Sequence, residues 1–480
     1  MADVRRSRGS SRSDPRSRVV SGRRAEVREG PGPAGRPGFR PPRDRLGRGQ
    51  GRPPERRSGR GIEGEGTAAA AGGGEDVLPT VYLKPGEADR VVGGHPWIYE
   101  GSLLRVVRDP GDGGVVQVKD HRRRLIGVGF YNSKSRIRVR VLAWERAELD
   151  EAFFERRLRQ ALEHRQRHLP EATSYRWVNA EGDLLSGLIV DRYEDVLVVQ
   201  MSSVGMETRK SMLVRLLEKL GRPRAIVERN DMGARRFEGL EEASGVLAGD
   251  LSEAERRALP VRLNGLQFEA DLVGGHKTGL YLDQQVNQAL VAGWAKGAEV
   301  LDAFSFQGGF ALAAARAGAK SVLGLDQSAE AVAVAERMAV ANGLEAVCSF
   351  RAGNVFDWMR EAVATGAEGG RPEPRFDLIV LDPPSFTRNR ASVPDALRGY
   401  KEIHLRAMRL LRPGGLLATF CCSHHVDART FEATILEAAY DARRQLRRVT
   451  AFGQAADHPV LPAVPETEYL KGFGYEMLCP

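Results

Sequence analysis

Val300-Leu-Asp-Ala-Phe-Ser-Phe-Gln-Gly-Gly-Phe310, running on as Ala311-Leu-Ala-Ala-Ala-Arg-Ala-Gly318, is the stretch from which the architecture follows. An apolar run ends in Asp302, crosses a turn with Ser305 and Gly308-Gly309, and restarts as an alanine-rich stretch with helical apolar spacing. That is strand, loop, helix. Glycine suits such a loop because a side chain would hold the backbone off a ligand, while the helix start offers free N–H groups. Lys320-Ser-Val-Leu-Gly-Leu-Asp326 follows as a second strand ending in an acid. An acid at that tip is where an α/β nucleotide-binding fold accepts two ribose hydroxyls, which predicts an adenosine-like cofactor. A dinucleotide calls for G-x-G-x-x-G, and the third glycine is missing. S-adenosylmethionine carries no pyrophosphate and needs no such cradle; an ordinary glycine turn in a doubly wound domain is the bland alternative.

Around this centre, Val347–Arg351 reads as a third strand ending near Asn354, whose amide suits an adenine edge. Ser328 caps a helix reaching Ala341, stopped by Asn342-Gly343. Upstream, a strand from Val261 to Asp271 leads into Gly274-Gly-His-Lys-Thr-Gly-Leu-Tyr-Leu-Asp-Gln284, where Lys277, Thr278 and Tyr281 are expected to form a lid and His276 a hydrogen-bonded turn residue. The expected cofactor contacts are therefore Lys277, Tyr281, Asp302, Phe304, Ser305, Gly308, Asp326, Asn354 and Asp382.

Phe376-Asp-Leu-Ile-Val-Leu-Asp-Pro-Pro-Ser-Phe386 is a fourth strand and its loop. Asp382 falls at the carboxyl end of a buried strand, where open α/β sheets bind ligands, and Pro383-Pro384 stiffens the turn. Acid-Pro-Pro here fits methyl transfer to a planar group, with Pro383 lining the pocket and Phe386 as a stacking platform. Arg412-Pro-Gly-Gly415 turns a helix into a fifth strand ending in Cys421-Cys422. A thiolate there can add to carbon 6 of a pyrimidine, making carbon 5 nucleophilic toward a sulfonium methyl. Asp382 would relieve charge developing on the ring.

The 480 residues allow two or three domains, with 42% apolar content and no apolar run long enough to span a membrane. Four cysteines without C-x-x-C spacing suggest neither a disulfide framework nor a zinc site, and fit a reducing cytoplasm. The net charge of +9 is concentrated in residues 1–60, where 18 Arg face six acids for +12, leaving the remainder at −3. Residues 1–76 are expected to be a disordered Arg/Gly/Pro-rich tail, either an RNA-contacting arm or a solvated extension. Residues 77–145 alternate as short strands. Arg136, Arg138 and Arg140 share one face of Ile137–Leu142; with Arg122–Arg124 and the aromatics Trp97, Tyr99, Phe130 and Tyr131 they suit RNA. A central α+β segment, 146–260, holds a helix over Leu149–His168, another near Lys210–Leu220, and strands Leu184–Tyr193, Val196–Met201 and Ala225–Glu228. Its Glu228–Asp231 and Ala234–Phe237 read as polar surface, RNA-facing or linking. The chemistry sits in 261–480.

From residue 80 on, the chain resembles the bacterial class I large-subunit ribosomal RNA methyltransferase I family. The resemblance rests on His95-Pro-Trp-Ile98, Gly275-His-Lys-Thr-Gly279, Tyr281-Leu-Asp-Gln284, Phe304-Ser-Phe-Gln-Gly-Gly-Phe310, Asp382-Pro-Pro384 with Phe386, Cys422-Ser423, Gln454-Ala-Ala-Asp-His-Pro459 and Tyr469-Leu-Lys-Gly-Phe473. It implies a PUA RNA-binding domain, a central α+β domain and a Rossmann-like seven-stranded class I methyltransferase domain, an α/β fold whose last strand, about Tyr469–Leu478, is antiparallel. It also implies S-adenosylmethionine as cofactor, methylation of carbon 5 of a cytosine in 23S rRNA, Cys422 as nucleophile, large-subunit rRNA as partner and a homodimer as a possible assembly. Phe306-Gln307, Asn354, Ser385, Gln285 and His424-His425 depart from the family pattern on the nucleobase side. One of the histidines is a candidate base or a group lowering the Cys422 pKa, but solvated or capping histidines are the favoured reading. Two other readings stand beside this one: an exocyclic-amine (guanine) methyltransferase using Asp382-Pro-Pro384, and a non-catalytic RNA-binding assembly factor.

Overall fold

In the computed structural model, which describes residues 78–365, 375–387 and 389–478, the first elements are strands, as period-two alternation requires. The tail expected over 1–76 lies outside the described residues. β1 (Thr80–Leu83), α1 (Asp89–Val92), β2 (Trp97–Tyr99), β3 (Leu103–Val107), β4 (Val115–Lys119), β5 (Leu125–Tyr131) and β6 (Ile137–Ala143) give a sheet ordered β2-β6-β5-β4-β1-β3. Val81, Leu83, Val118, Val139 and Val141 fill its core. Leu142 and Ala143, with Phe130, are buried instead in the next core. Phe130 therefore does not face RNA: its ring stacks near Phe154, and Arg209 covers it at 4.1 Å. The basic face of β6 is only partly open. Arg138 pairs with Glu100 at 2.6 Å and Arg140 with Glu238 at 2.8 Å, while Arg136 is exposed.

Next come α2 (Glu151–His168), β7 (Ser174–Asn179), β8 (Leu188–Tyr193), β9 (Val196–Met201), α3 (Val204–Glu207), α4 (Lys210–Gly221), β10 (Ala225–Asn230), β11 (Ala243–Gly249) and α5 (Glu253–Arg257), with the sheet ordered β11-β10-β9-β8-β7. Asp150 caps α2 by accepting from Phe153 N, and Phe153, Phe154, Leu158 and Ala161 bury one stripe of it. β7 and β11 are elements that the sequence pattern did not announce. Glu228 and Asn230, expected at a polar surface, are buried in β10. Glu228 pairs with Lys210 at 2.5 Å, and Asn230 accepts from Met201 N at 2.6 Å, so their polar groups are satisfied inside.

The single strand expected over Val261–Asp271 is a hairpin, β12 (Leu259–Leu263) and β13 (Leu266–Ala270). Asn264 (φ 51°) and Gly265 (φ 77°) are both left-handed, as the tight turn of an Asn-Gly hairpin requires.

The remaining elements are α6 (Gln285–Ala292), β14 (Glu299–Ala303), α7 (Gly309–Arg316), β15 (Ser321–Asp326), α8 (Ala329–Ala341), β16 (Cys348–Ala352), α9 (Val355–Thr365), β17 (Phe376–Leu381), α10 (Val393–Leu410), β18 (Leu411–Cys421), α11 (Ala428–Ala442), β19 (Leu446–Gly453) and β20 (Lys471–Met477). Their sheet runs β16-β15-β14-β17-β18-β20-β19, parallel except for β20, which is antiparallel to both neighbours. Near-continuous Val/Leu/Ile runs let β14 and β17 be covered on both faces. The α9–α11 layer packs on one face. On the other, α6–α8 share a core with the β12–β13 hairpin and with Tyr193, Val196, Val198, Ala225 and Val227. The five-stranded sheet is thus buried on both sides, and it braces whatever follows β13.

Candidate active site

The loop after β14 is strained and heavily bonded. Phe304 (φ 68°), Phe306 (φ 48°) and Gly308 (φ 81°) are left-handed, a conformation costing a non-glycine residue about 1–2 kcal/mol. The bonds that hold it are Ser305 N to Leu325 O (2.8 Å), Phe306 N to Asp326 Oδ2 (2.9 Å) and Gly308 N to Ser305 O (2.8 Å). Strain concentrated and over-determined in this way marks a working loop. Asp326, half-buried at the tip of β15, also accepts from Ser328 N through Oδ1, so its carboxylate is fixed. Ser305 Oγ and Gln307 Oε1 are buried without a partner among the described residues, polar groups that a bound ligand would satisfy. Asn354 caps α9, accepting from Phe356 N at 2.9 Å through Oδ1; this leaves its NH₂ as the donor for a ligand.

Asp302, expected as a cofactor contact, lies in β14, and its Oδ1 too is buried without a partner among the described residues. It is fully buried, accepts from Ala311 N at 2.9 Å, and is pushed up to about 8 by burial, with Asp382 and Asp326 adding to the rise. Its Oδ2 holds the first turn of α7 behind the loop.

The opposite wall is the segment between β13 and α6. Thr278, expected in a lid, is instead a buried anchor. Its hydroxyl donates to Asp191 Oδ2 at 2.5 Å, receives the Tyr193 hydroxyl at 2.8 Å, and Leu280 N donates to that same Tyr193 oxygen. Arg176 grips Asp191 through two bonds of 2.8 and 2.9 Å. Fixed there, Lys277 (φ 54°) donates to Asp283 Oδ2 at 2.7 Å, and the Tyr469 hydroxyl donates to the same oxygen at 2.6 Å. Tyr281 donates or accepts at His276 Nδ1 (3.1 Å), the turn bond expected for that histidine. Burial and the neighbouring Asp382, Asp283, Cys422 and Asp326 raise its hydroxyl, and its ring meets Phe306 of the loop after β14 edge-on at 5.2 Å.

Asp382 follows β17 and Cys422 follows β18, adjacent parallel strands, so the two side chains meet at one end of the sheet. Burial and then the Asp283 charge push Asp382 up to about 7, while the Gln284 side chain and Lys277 pull it back. Burial, Asp382 and Cys421 push the Cys422 thiol up to about 12, against the pull of Lys277. Both groups are thus held above their ordinary ranges, the carboxyl by burial and Asp283 and the thiol by burial and Asp382. Both His424 and His425 are exposed, and neither is among the groups that move the Cys422 thiol. Lys471 Nζ fixes the turn by donating to Ser423 O (2.6 Å) and Val426 O (2.8 Å). Cys421 is buried beside Tyr400. Pro383 is buried, and Phe386 packs among Phe304, Phe356 and Tyr400 at centroid distances of 6.4, 5.8 and 4.7 Å, tying the Asp-Pro-Pro turn to the cofactor loop. Arg136 and Arg138 lie on β6 and its approach, apart from this pocket.

Asp283, Gln284, Tyr469 and the Asp191–Arg176 clamp were assigned no role from sequence. Three of them stand in motifs quoted above, but Tyr469 meets Asp283 across 186 positions of chain, a pairing spacing cannot show.

Residues 81–144 match the PUA-like domain, and residues 183–463 match the S-adenosylmethionine-dependent methyltransferase family. Ribosomal RNA large subunit methyltransferase I of Klebsiella pneumoniae is 37% identical over 409 residues, 84% of this chain and 100% of the relative. The proteins of that name from Tolumonas auensis and Shewanella denitrificans are 38% and 39% identical, each covering 82% of this chain and 98% of the relative. A solved methyltransferase complexed with SAH shares the fold at TM-score 0.70 and 20% identity, over 83% of this chain and 99% of its own. A Streptococcus mutans structure does so at 0.69 and 19%, with the same coverage. The chain belongs to the ribosomal RNA large subunit methyltransferase I family of S-adenosylmethionine-dependent methyltransferases.

Proposed function

We propose that the protein methylates carbon 5 of a cytosine in large-subunit ribosomal RNA through a covalent adduct on Cys422. The observation that carries this reading is the pairing of the Cys422 thiol with the near-neutral carboxyl of Asp382 at the ends of adjacent strands. Bound S-adenosylmethionine supplies an electrophilic methyl group; Asp326, Ser305, Asn354, Lys277 and Tyr281 are the residues that would hold it.

Asp382, as carboxylate, takes the proton of the Cys422 thiol, and the sulfur bonds to carbon 6 of the ring. The same proton passes from Asp382 to ring nitrogen 3, which receives the electron pair that would otherwise charge the ring. Carbon 5 is thereby nucleophilic. Once it carries the methyl, ring nitrogen 3 returns its proton to Asp382, a base removes the carbon 5 proton, and the sulfur–carbon 6 bond breaks to give a thiolate that takes the proton back from Asp382. In this division of labour, 77–145 binds RNA, 146–260 braces the lid segment, and 261–480 holds the cofactor and performs transfer. The Asp302 carboxyl contributes by shaping the loop. Among the described residues no helix is long and apolar enough to cross a membrane.

Nucleoside mass spectrometry of large-subunit rRNA tests this. A strain lacking the gene should lose one 5-methylcytidine, restored by the wild type and not by Cys422→Ala. Loss of a methylated guanosine restored by both would remove the cysteine from the chemistry.

A further inference from the structure

Phe237 is 77% exposed, the most exposed phenylalanine or tryptophan among the described large hydrophobic residues. It is not on a loose excursion. It stands in a short 3-10 turn, Gly233–Glu238, anchored by two buried side chains, Arg235 two residues before the ring (2% exposed) and Glu238 directly after it (4% exposed). Arg235 donates to Glu207 at 2.9 Å, to Glu241 O at 2.8 Å and to Met201 O. Glu238 accepts from Arg140 (2.8 Å), Ser135 (2.7 Å) and Asn132 (2.9 Å), all on the β5–β6 hairpin. In β10, the strand that leads into the turn, Arg229 donates to Gly275 O at 2.9 Å, two residues before Lys277. The ring is therefore presented from a fixed platform that touches the PUA-like sheet on one side and the active-site wall on the other.

The neighbouring charges are mixed but accessible cations lie close. The Lys134 stem passes so near Gly239 that a Cβ there would stand 2.5 Å from its Cδ, and Lys134 and Arg136 are both exposed. Arg236 is paired with Glu242 at 2.7 Å, and Glu241 is exposed. An exposed aromatic flanked by lysine and arginine is the combination that binds single-stranded nucleic acid: the ring stacks on a base and the cations take phosphates.

We propose that Phe237 is a stacking contact for an unpaired RNA base next to the nucleotide undergoing methylation, with Lys134 and Arg136 receiving the backbone on the PUA-like side. This rests on the reading of the protein as an RNA methyltransferase. Full-length wild type, Phe237→Ala, Phe237→Tyr, Lys134→Ala and Arg136→Ala are compared for affinity to a fluorescent large-subunit rRNA fragment over a salt series, with cofactor binding and molecular mass recorded in parallel. Phe237→Ala should weaken RNA binding about 5- to 100-fold, the range of one lost base–aromatic stack, without changing the salt slope or the cofactor affinity. Phe237→Tyr should restore it. Lys134→Ala and Arg136→Ala should each flatten the log–log salt slope by about one. Unchanged RNA affinity in Phe237→Ala overturns the proposal, and a change in mass alone would make the ring a protein contact instead. If wild type neither binds nor methylates the fragment, the RNA reading fails before the variants are considered.

Discussion

Replacing Asp283 by Asn should move the pH dependence of methyl transfer by a predictable amount. In the proposed mechanism the reactive form pairs ionised Asp382 with the Cys422 thiol, so kcat/KM rises with pH until Asp382 has titrated, near 7, and is then level up to the thiol range near 12. The groups facing Asp382 are Asp283, Gln284, Lys277 and Tyr281 from the β13–α6 segment, Asp302 from β14 and Cys422 from β18. Burial is the first cause of its raised pKa and Asp283 the second. A unit charge roughly 6 Å away at an effective dielectric of about 20 is worth about 2.8 kcal/mol. With about 1.4 kcal/mol per pK unit, that is about two units before screening. The Asp283→Asn substitution also frees Lys277 from its 2.7 Å ion pair, and an unpaired ammonium lowers Asp382 further. Both changes have the same sign, so the break should fall by about one to two units, toward about pH 5–6. The assay is single-turnover tritium transfer to the rRNA fragment between pH 4.5 and 9, with cofactor affinity measured at each end. A break that stays at 7 in the variant would refute the assignment of that titration to Asp382 under Asp283 control.

Four further outcomes are expected. Cys422→Ala should abolish transfer while leaving cofactor affinity intact, and a 5-fluorocytidine-containing RNA should form a denaturation-stable adduct with wild type only. Gly324→Ala would put a Cβ 2.4 Å from Phe350 Cδ1 and 3.2 Å from Ser305 Oγ, costing about 1–3 kcal/mol of stability in urea denaturation, part of it recovered by Phe350→Leu. Asp191→Ala leaves the buried Arg176 guanidinium unpaired and should cost about 3–5 kcal/mol, with the β13–α6 segment losing protection in hydrogen exchange because Thr278 loses its acceptor. The pH sign for Asp191 follows from its folded pKa: burial opposes ionisation, but Arg176 and the Thr278 hydroxyl hold its carboxyl below the usual range. Its stabilising contribution is present above about pH 4 and is lost as pH falls through the folded value, so the Asp191→Asn protein should show a shallower acid-side decline.

The strand–loop–helix around Asp302 and Gly308, the second acid at Asp326, the Asp382-Pro-Pro384 turn and the cysteine pair at the end of β18 could all be read from the order of residues. These are legible because their signals are local: apolar periodicity, an acid at a strand end, glycine where φ is positive. The Asn264-Gly265 hairpin was equally local, but the apolar–polar alternation on either side of it reads as one strand. Which side chains share a pocket, and in what protonation state, became visible only in the folded chain. Thr278 looks like a lid residue until Asp191 and Tyr193, more than eighty positions earlier, are seen to hold it. Phe130 belongs to a core rather than an RNA face because β5 and β6 carry it past their own sheet into the next. The Cys422 thiol is raised, not lowered, because desolvation and the Asp382 charge depend on distances through space, and a chain read one residue at a time contains no such distances.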